Sequence, residues 1–172
     1  MSKLLALLVV LCLALATGCG NATKEVTSTG PGGQVTTQTV PDVKFAKTKF
    51  VLHTGLAFGA FHRYILKPYQ AGAFKKGAPK RKRSLVKAGA AGLFAVHELK
   101  LARNAALSDD RLRPLAQKVS GLTDKLGGLA SAFQGGSFNP TAILGAAGAA
   151  TALGSDSKGA GAEVKDRATP GF

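Results

Sequence analysis

Two apolar segments joined by a strongly basic connection constrain this fold more than any other feature. The first runs from Phe50 to Leu66, contains no proline and is apolar on nearly every face. The second runs from Ser84 to Asn104 and is also free of proline. Segments of this kind are typical of buried helices. We therefore predict an antiparallel helical hairpin as the centre of an all-α fold, a small helical bundle.

Both segments carry small residues four positions apart. Gly55 and Gly59 have this spacing in the first segment, and Ala88 and Gly92 have it in the second. Residues four apart share one face of a helix, so each pair would let another backbone approach closely. The chain contains 22 glycines, and the same spacing is therefore also expected from composition alone.

The positive charge is concentrated in and around the connection between the two segments. Nine basic residues and no acidic one lie from position 63 to position 87, within a formal net charge of +14. Such a surface predicts association with something anionic, either lipid head groups or a cell-wall polymer, although runs of Lys and Arg are often plain solvated surface. The residues predicted to contact an anionic surface, in and beside the basic loop 67–87, are Arg63, Lys67, Lys75, Lys76, Lys80, Arg81, Lys82, Arg83 and Lys87.

Two aromatic residues, Tyr69 and Phe74, lie close to the basic run. This arrangement suits a membrane interface, where aromatic rings lie among head groups. Nucleic acid is an alternative partner, because cations bind phosphates of any origin. It is not favoured, since no aromatic platform or recognisable binding fold accompanies the charge.

The start of the chain has the pattern of a secretion signal. Lys3 is followed by about 12 apolar residues, Leu4 to Leu15, which is short of the roughly 20 that span a bilayer. The sequence Leu15-Ala-Thr-Gly-Cys19 then resembles the lipobox of bacterial lipoproteins, with alanine three positions before the cysteine, where leucine is usual. Ordinary signal peptidase cleavage after Ala16 is a second interpretation.

The resemblance implies that Cys19 is diacylated and becomes the first residue of the mature chain. Cys12 would leave with the signal, so Cys19 would be the only mature thiol. Two acyl chains suffice for stable anchoring. We therefore expect a lipid-anchored protein on the extracytoplasmic face of the cell membrane, with 1–18 as signal peptide.

The remaining chain divides by composition into a tether, a helical domain and a tail. Residues 19–41 are rich in Thr, Ser, Gly and Gln, which predicts a flexible tether after the lipidated cysteine. Residues 42–153 hold the apolar segments and form the predicted helical domain. Residues 154–172 show no apolar rhythm, which predicts a disordered tail.

The clearest periodicity in the domain follows the hairpin. Apolar residues alternate at spacings of three and four, which predicts an amphipathic helix with a narrow apolar seam. We expect the seam to pack on the hairpin within one chain; self-association as a coiled coil is the alternative. A last helix of small residues is predicted over 142–153. The seam residues are Leu112, Leu115, Val119, Leu122, Leu126, Leu129 and Phe133.

Motifs for catalysis or cofactor binding are missing from the sequence, so we expect a non-catalytic interaction or structural protein without a cofactor. The weak candidates for a metal site are His53 and His97. His53 lies 14 residues before Lys67 and His97 lies 13 after Ser84, which makes them level in an antiparallel hairpin. The other interpretation is polar side chains that satisfy one another within an apolar bundle.

Two architectures are compatible with these patterns. In the favoured one, a lipid-tethered helical bundle is held near an anionic surface by its basic loop. In the alternative, a small integral membrane protein, residues 50–66 and 85–101 enter the bilayer as a pair and leave the basic loop in the cytoplasm. Insertion is disfavoured because Arg63, Lys87 and Glu98 would lie in or near the apolar slab, at roughly 2.5–3.5 kcal/mol for each charge at its centre.

Overall fold

The computed structural model describes residues 22–29, 35–169, 171 and 172, which fall into two compact units divided between Asp42 and Val43. The first unit contains two antiparallel strands, β1 (Thr23–Thr29) and β2 (Val35–Pro41). The prediction of a flexible tether is wrong for these strands. The threonines and valines of both strands explain the difference, because β-branched side chains favour extended backbone. The predicted signal peptide and Cys19 lie outside the described residues.

The second unit is helical, which confirms the predicted helical bundle. A π-helical turn, His62–Leu66, connects the first two helices, and a 3₁₀ turn, Arg113–Leu115, precedes the fourth. The helices are α1 (Ala46–Phe61), α2 (Lys67–Gln70), α3 (Arg81–Ser108), α4 (Ala116–Gln134) and α5 (Pro140–Gly159).

Helix α3 is the central element of the bundle. It packs along both α1 and α4, and α5 packs against α4. His53, in the first half of α1, contacts Glu98 in the second half of α3. Tyr64, just after α1, contacts Phe172, which is hydrogen-bonded to Lys87 near the start of α3. The two helices therefore run antiparallel, as predicted. The buried side chains of α3 are mostly small and include Ala88, Ala91, Ala95, Ala102, Ala105 and Ala106.

The amphipathic seam is fully enclosed within the bundle. Its seven apolar residues, from Leu112 to Phe133, are all buried. Phe133 at the end of the seam packs against Phe74, with ring centroids 5.1 Å apart. The prediction that the seam packs within one chain is therefore confirmed.

Helical structure continues through Pro68, although proline usually ends a helix. The chain continues as helix to Gln70 after the π-helical turn, in which the Lys67 N–H donates to the carbonyl oxygen of His62. Proline lacks an N–H and its ring crowds the carbonyl four residues earlier. The wider π turn accommodates both effects, and Pro68 then stands in the first turn of α2, where proline is tolerated.

The small residues permit close backbone approach, but not between the two hairpin helices. A Cβ atom at Gly92 would lie 2.9 Å from the Cβ of Ala130 in α4. A Cβ atom at Gly59 would lie 2.0 Å from the carbonyl oxygen of Arg167, and one at Gly55 would lie 2.5 Å from that of Lys165. The glycine face of α1 is therefore covered by the end of the chain.

The predicted disordered tail is ordered where the structure describes it. Residues 154–159 extend α5, and the tail segment (162–169, 171 and 172) has no regular secondary structure but lies on α1. The Arg167 N–H donates to the carbonyl oxygen of Gly55 at 2.9 Å, and the carboxylate of Asp166 lies 2.6 Å from Nδ1 of His62. Disorder is therefore a wrong prediction for this segment.

We predict that Gly59→Ala displaces the tail segment. The added methyl group would overlap a backbone oxygen, which cannot rotate away, so we expect a loss of about 1–3 kcal/mol in the free energy of unfolding. Amide hydrogen exchange should accelerate at residues 165–169. The matched control is Gly121→Ala in α4, where nothing lies within 4 Å of the added Cβ.

That control should stabilise the protein by up to about 1 kcal/mol, because alanine favours helix over glycine. If amide exchange in the tail segment of Gly59→Ala equals that in the control, the docking of the tail segment on α1 is contradicted.

Candidate functional site

The nine basic residues predicted to contact an anionic surface lie in and around the connection between α1 and α3. Arg63 belongs to the π-helical turn and Lys67 begins α2. The first two turns of α3 carry Arg81, Lys82, Arg83 and Lys87. Seven of the nine side chains are exposed, and we call them the basic surface. They are Arg63, Lys67, Lys75, Lys76, Lys80, Lys82 and Arg83.

The other two predicted contact residues, Arg81 and Lys87, have structural partners. The Arg81 guanidinium donates to the backbone oxygens of Phe74 and Gly136, at 2.8 and 3.1 Å. It thereby ties the basic loop to the connection between α4 and α5. Lys87 donates to the backbone oxygen of Phe172. Both side chains are only partly exposed and have partners within the chain, so their contact with an anionic surface stays a prediction.

The basic loop is anchored by an aromatic side chain. Phe74 is 1% exposed, and its ring packs against those of Phe133 and Phe138. The expectation that Phe74 lies at an interface with head groups is therefore wrong, because its ring belongs to the core. Tyr69 stays partly exposed and contacts the Phe138 ring at 6.4 Å. The loop thus holds its lysines on a fixed support.

Among the residues with described positions, carboxylates do not pair with the basic surface. Within the described part of the chain, none of its seven side chains forms an ion pair. Arg63 instead lies over the ring of Tyr64, 5.3 Å from its centroid. That ring packs edge-on against Phe172, whose backbone oxygen accepts from Lys87. Sequence reasoning missed Phe172, since no local pattern links it to residues so distant in the chain.

The basic run lies at the end of α3 that least favours positive charge. A helix N-terminus carries a partial positive charge, and a cation there is unfavourable by about 0.3–1 kcal/mol at exposed positions. Lys80, which precedes the helix, has a φ of 57° and makes no side-chain cap. The left-handed conformation is strained for any residue with a Cβ. The local sequence therefore opposes stability and concentrates positive potential.

The two candidate metal ligands lie in different surroundings. Nδ1 of His53 lies 2.7 Å from the Glu98 carboxylate, in a partly buried pair between α1 and α3. His97 is exposed on the neighbouring face of α3. Among the described residues, no three His, Cys, Asp or Glu side chains are grouped as metal ligands. His53 and Glu98 are thus polar side chains that satisfy each other's hydrogen bonding within the bundle. Sequence reasoning had missed Glu98.

We predict that Lys80→Gly is about 0.5–1 kcal/mol more stable to unfolding than Lys80→Ala. Both variants lose the same charge, but only glycine relieves the left-handed backbone. Chemical denaturation of the two purified variants measures the difference. Both should bind anionic vesicles more weakly than the parent, and to the same extent. Equal unfolding free energies would contradict strain at this position.

Comparisons with known proteins do not assign the site. No protein-family model, curated protein or solved structure matches the chain. No helix in the described ranges combines the length and the apolar character needed to cross a membrane. A functional conclusion therefore depends on the chemistry of the basic surface and of the residues that support it.

Proposed function

We propose that this chain is a non-catalytic envelope lipoprotein whose basic surface binds an anionic lipid or a cell-wall polymer. The observation that carries the proposal is the set of seven exposed cations without a carboxylate partner within the described residues. Unpaired cations near an anionic surface contribute about 1 kcal/mol each. Seven of them on one support are enough for salt-sensitive attachment.

The fixed support favours binding over a purely solvating role. Phe74 in the core and the Arg81 hydrogen bonds hold the loop that carries Lys75, Lys76 and Lys80. Binding to an anionic surface therefore immobilises few backbone torsions, and less of the electrostatic free energy is lost to ordering.

Acylation at Cys19 is the second part of the proposal, and the lipobox-like sequence supports it. An acyl anchor and a basic surface are the two signals that together give stable membrane attachment. Electrostatic attraction falls off over about 8–10 Å at physiological salt. The anchor would keep the basic surface within that range.

Neutralising part of the basic surface tests whether that surface binds anionic lipid. We expect Lys75, Lys76, Lys82 and Arg83 changed together to Gln to weaken binding to phosphatidylglycerol vesicles by roughly a hundredfold to a thousandfold in a co-sedimentation assay at low salt. The control changes Lys44, Lys49, Lys100 and Lys125 to Gln, which removes the same charge from other exposed positions.

The control should lose less than about tenfold, because its charges are dispersed. Equal losses in the two variants would mean that net charge alone drives binding and would contradict a defined surface. Purified teichoic acid and duplex DNA at equal phosphate concentration serve as competitors. Preferential competition by DNA would favour the nucleic-acid alternative.

Mass spectrometry of the mature protein tests the anchor. In a bacterial host that processes lipoproteins, we expect the first residue to be a diacylated Cys19, and we expect Cys19→Ser to move much of the protein out of the membrane fraction. An unacylated chain that begins at Thr17 would contradict the anchor. Retention of Cys19→Ser through carbonate washing would favour the inserted hairpin.

A further inference from the structure

A shallow groove of about 670 Å³ lies where the start of α3 meets the tail segment. Four cationic side chains and two apolar ones line it, and none of the lining residues is acidic. Its lining residues are Lys80, Lys82, Arg83, Val86, Lys87 and Phe172.

The groove continues into an exposed apolar track along α3. Val86 is 64% exposed and Leu93 is 50% exposed. They are seven residues apart in one helix, so they share a face and lie roughly 10 Å from each other along the axis. Phe94 flanks the track and contacts the Phe172 ring, with centroids 5.8 Å apart. A site for an anion alone would not require this apolar extension.

We propose that the groove binds a single phospholipid with an anionic head group. The phosphate lies among the ammonium and guanidinium groups of Lys80, Lys82 and Arg83, and the start of an acyl chain lies over Val86 toward Leu93. This inference rests on the proposed binding of an anionic lipid and names its site. Charge complementarity selects the head group, and the exposed carbon surface selects an amphiphile.

Lys87 and Phe172 give the groove a defined shape. The Lys87 ammonium donates one hydrogen bond to the backbone oxygen of Phe172, which leaves two of its three protons for a ligand. The Phe172 ring is held against Tyr64 and Phe94 at centroid distances of 5.0 and 5.8 Å. One wall of the groove is therefore fixed before a lipid arrives.

The test uses dihexanoylphosphatidylglycerol below its micelle concentration, added to the isotope-labelled full chain and followed by NMR chemical shifts. We expect saturable shifts at residues 80–94. Val86→Asn, which keeps every charge, should raise the Kd about tenfold by removing apolar contact area. The matched control is Leu144→Asn on α5, where leucine is 55% exposed and far from the cations in sequence. Its Kd should not change.

Two ligand controls separate the head group from the chains. Glycerol 3-phosphate tests the anion without acyl chains, and dihexanoylphosphatidylcholine tests the chains without net negative charge. Both should bind at least about tenfold more weakly than the anionic lipid. Equal binding of glycerol 3-phosphate, or an unchanged Kd in Val86→Asn, would overturn the lipid site and leave an anion-binding surface only.

Vesicle binding distinguishes the failure of this inference from failure of the proposed function. If Val86→Asn binds the short-chain lipid as the parent does while the loss of four charges still weakens vesicle binding, the lipid site in the groove is wrong and the proposed role of the basic surface is supported. If the loss of four charges leaves vesicle binding unchanged and Val86→Asn leaves the Kd for the short-chain lipid unchanged, both proposals are wrong. Thermal unfolding of Val86→Asn should stay within a few degrees of the parent, since the side chain is exposed.

Discussion

The close approach of other segments to the small residues of α1 and α3 is the constraint on which the rest of the structure depends. Alanine and glycine bury little apolar area each, so this bundle gains stability only where backbones come near enough for dense packing. Gly92 meets Ala130 of α4 in this way, and Gly59 meets the backbone at Arg167. The larger side chains, such as Phe61 and Phe133, then fill the space left between the helices.

The positive charge at the start of α3 does not contribute to this close packing. A helix that depends on small side chains gains nothing in stability from four consecutive cations, Lys80 to Arg83, at its positive end. A conflict between local preference and sequence is expected where a site serves binding. Phe74 and Arg81 fix the same region to the core, so the unfavourable charge is presented in one arrangement.

Features set by local sequence could be predicted, whereas features set by distant contacts could not. The seam from Leu112 to Phe133 identified its helix because periodicity reports burial directly. The partner of His53 was missed by one residue: Glu98, not His97, faces it, and one step along a helix turns the side chain by about 100°. The docking of Arg167 on Gly55 joins positions far apart in the chain, and composition carries no signal for it.

Acylation, charge and the apolar track would act on different aspects of one attachment. An acyl anchor raises the effective concentration of the basic surface at the membrane, so individually weak contacts suffice. The cations would then select an anionic surface but would not fix an orientation, because charge attraction is non-directional and screened. Val86 and Leu93 lie on one face of α3, and contact with lipid chains along that line would turn this face toward the membrane. Orientation would therefore depend on two exposed apolar side chains, even though the affinity would come mainly from the charges.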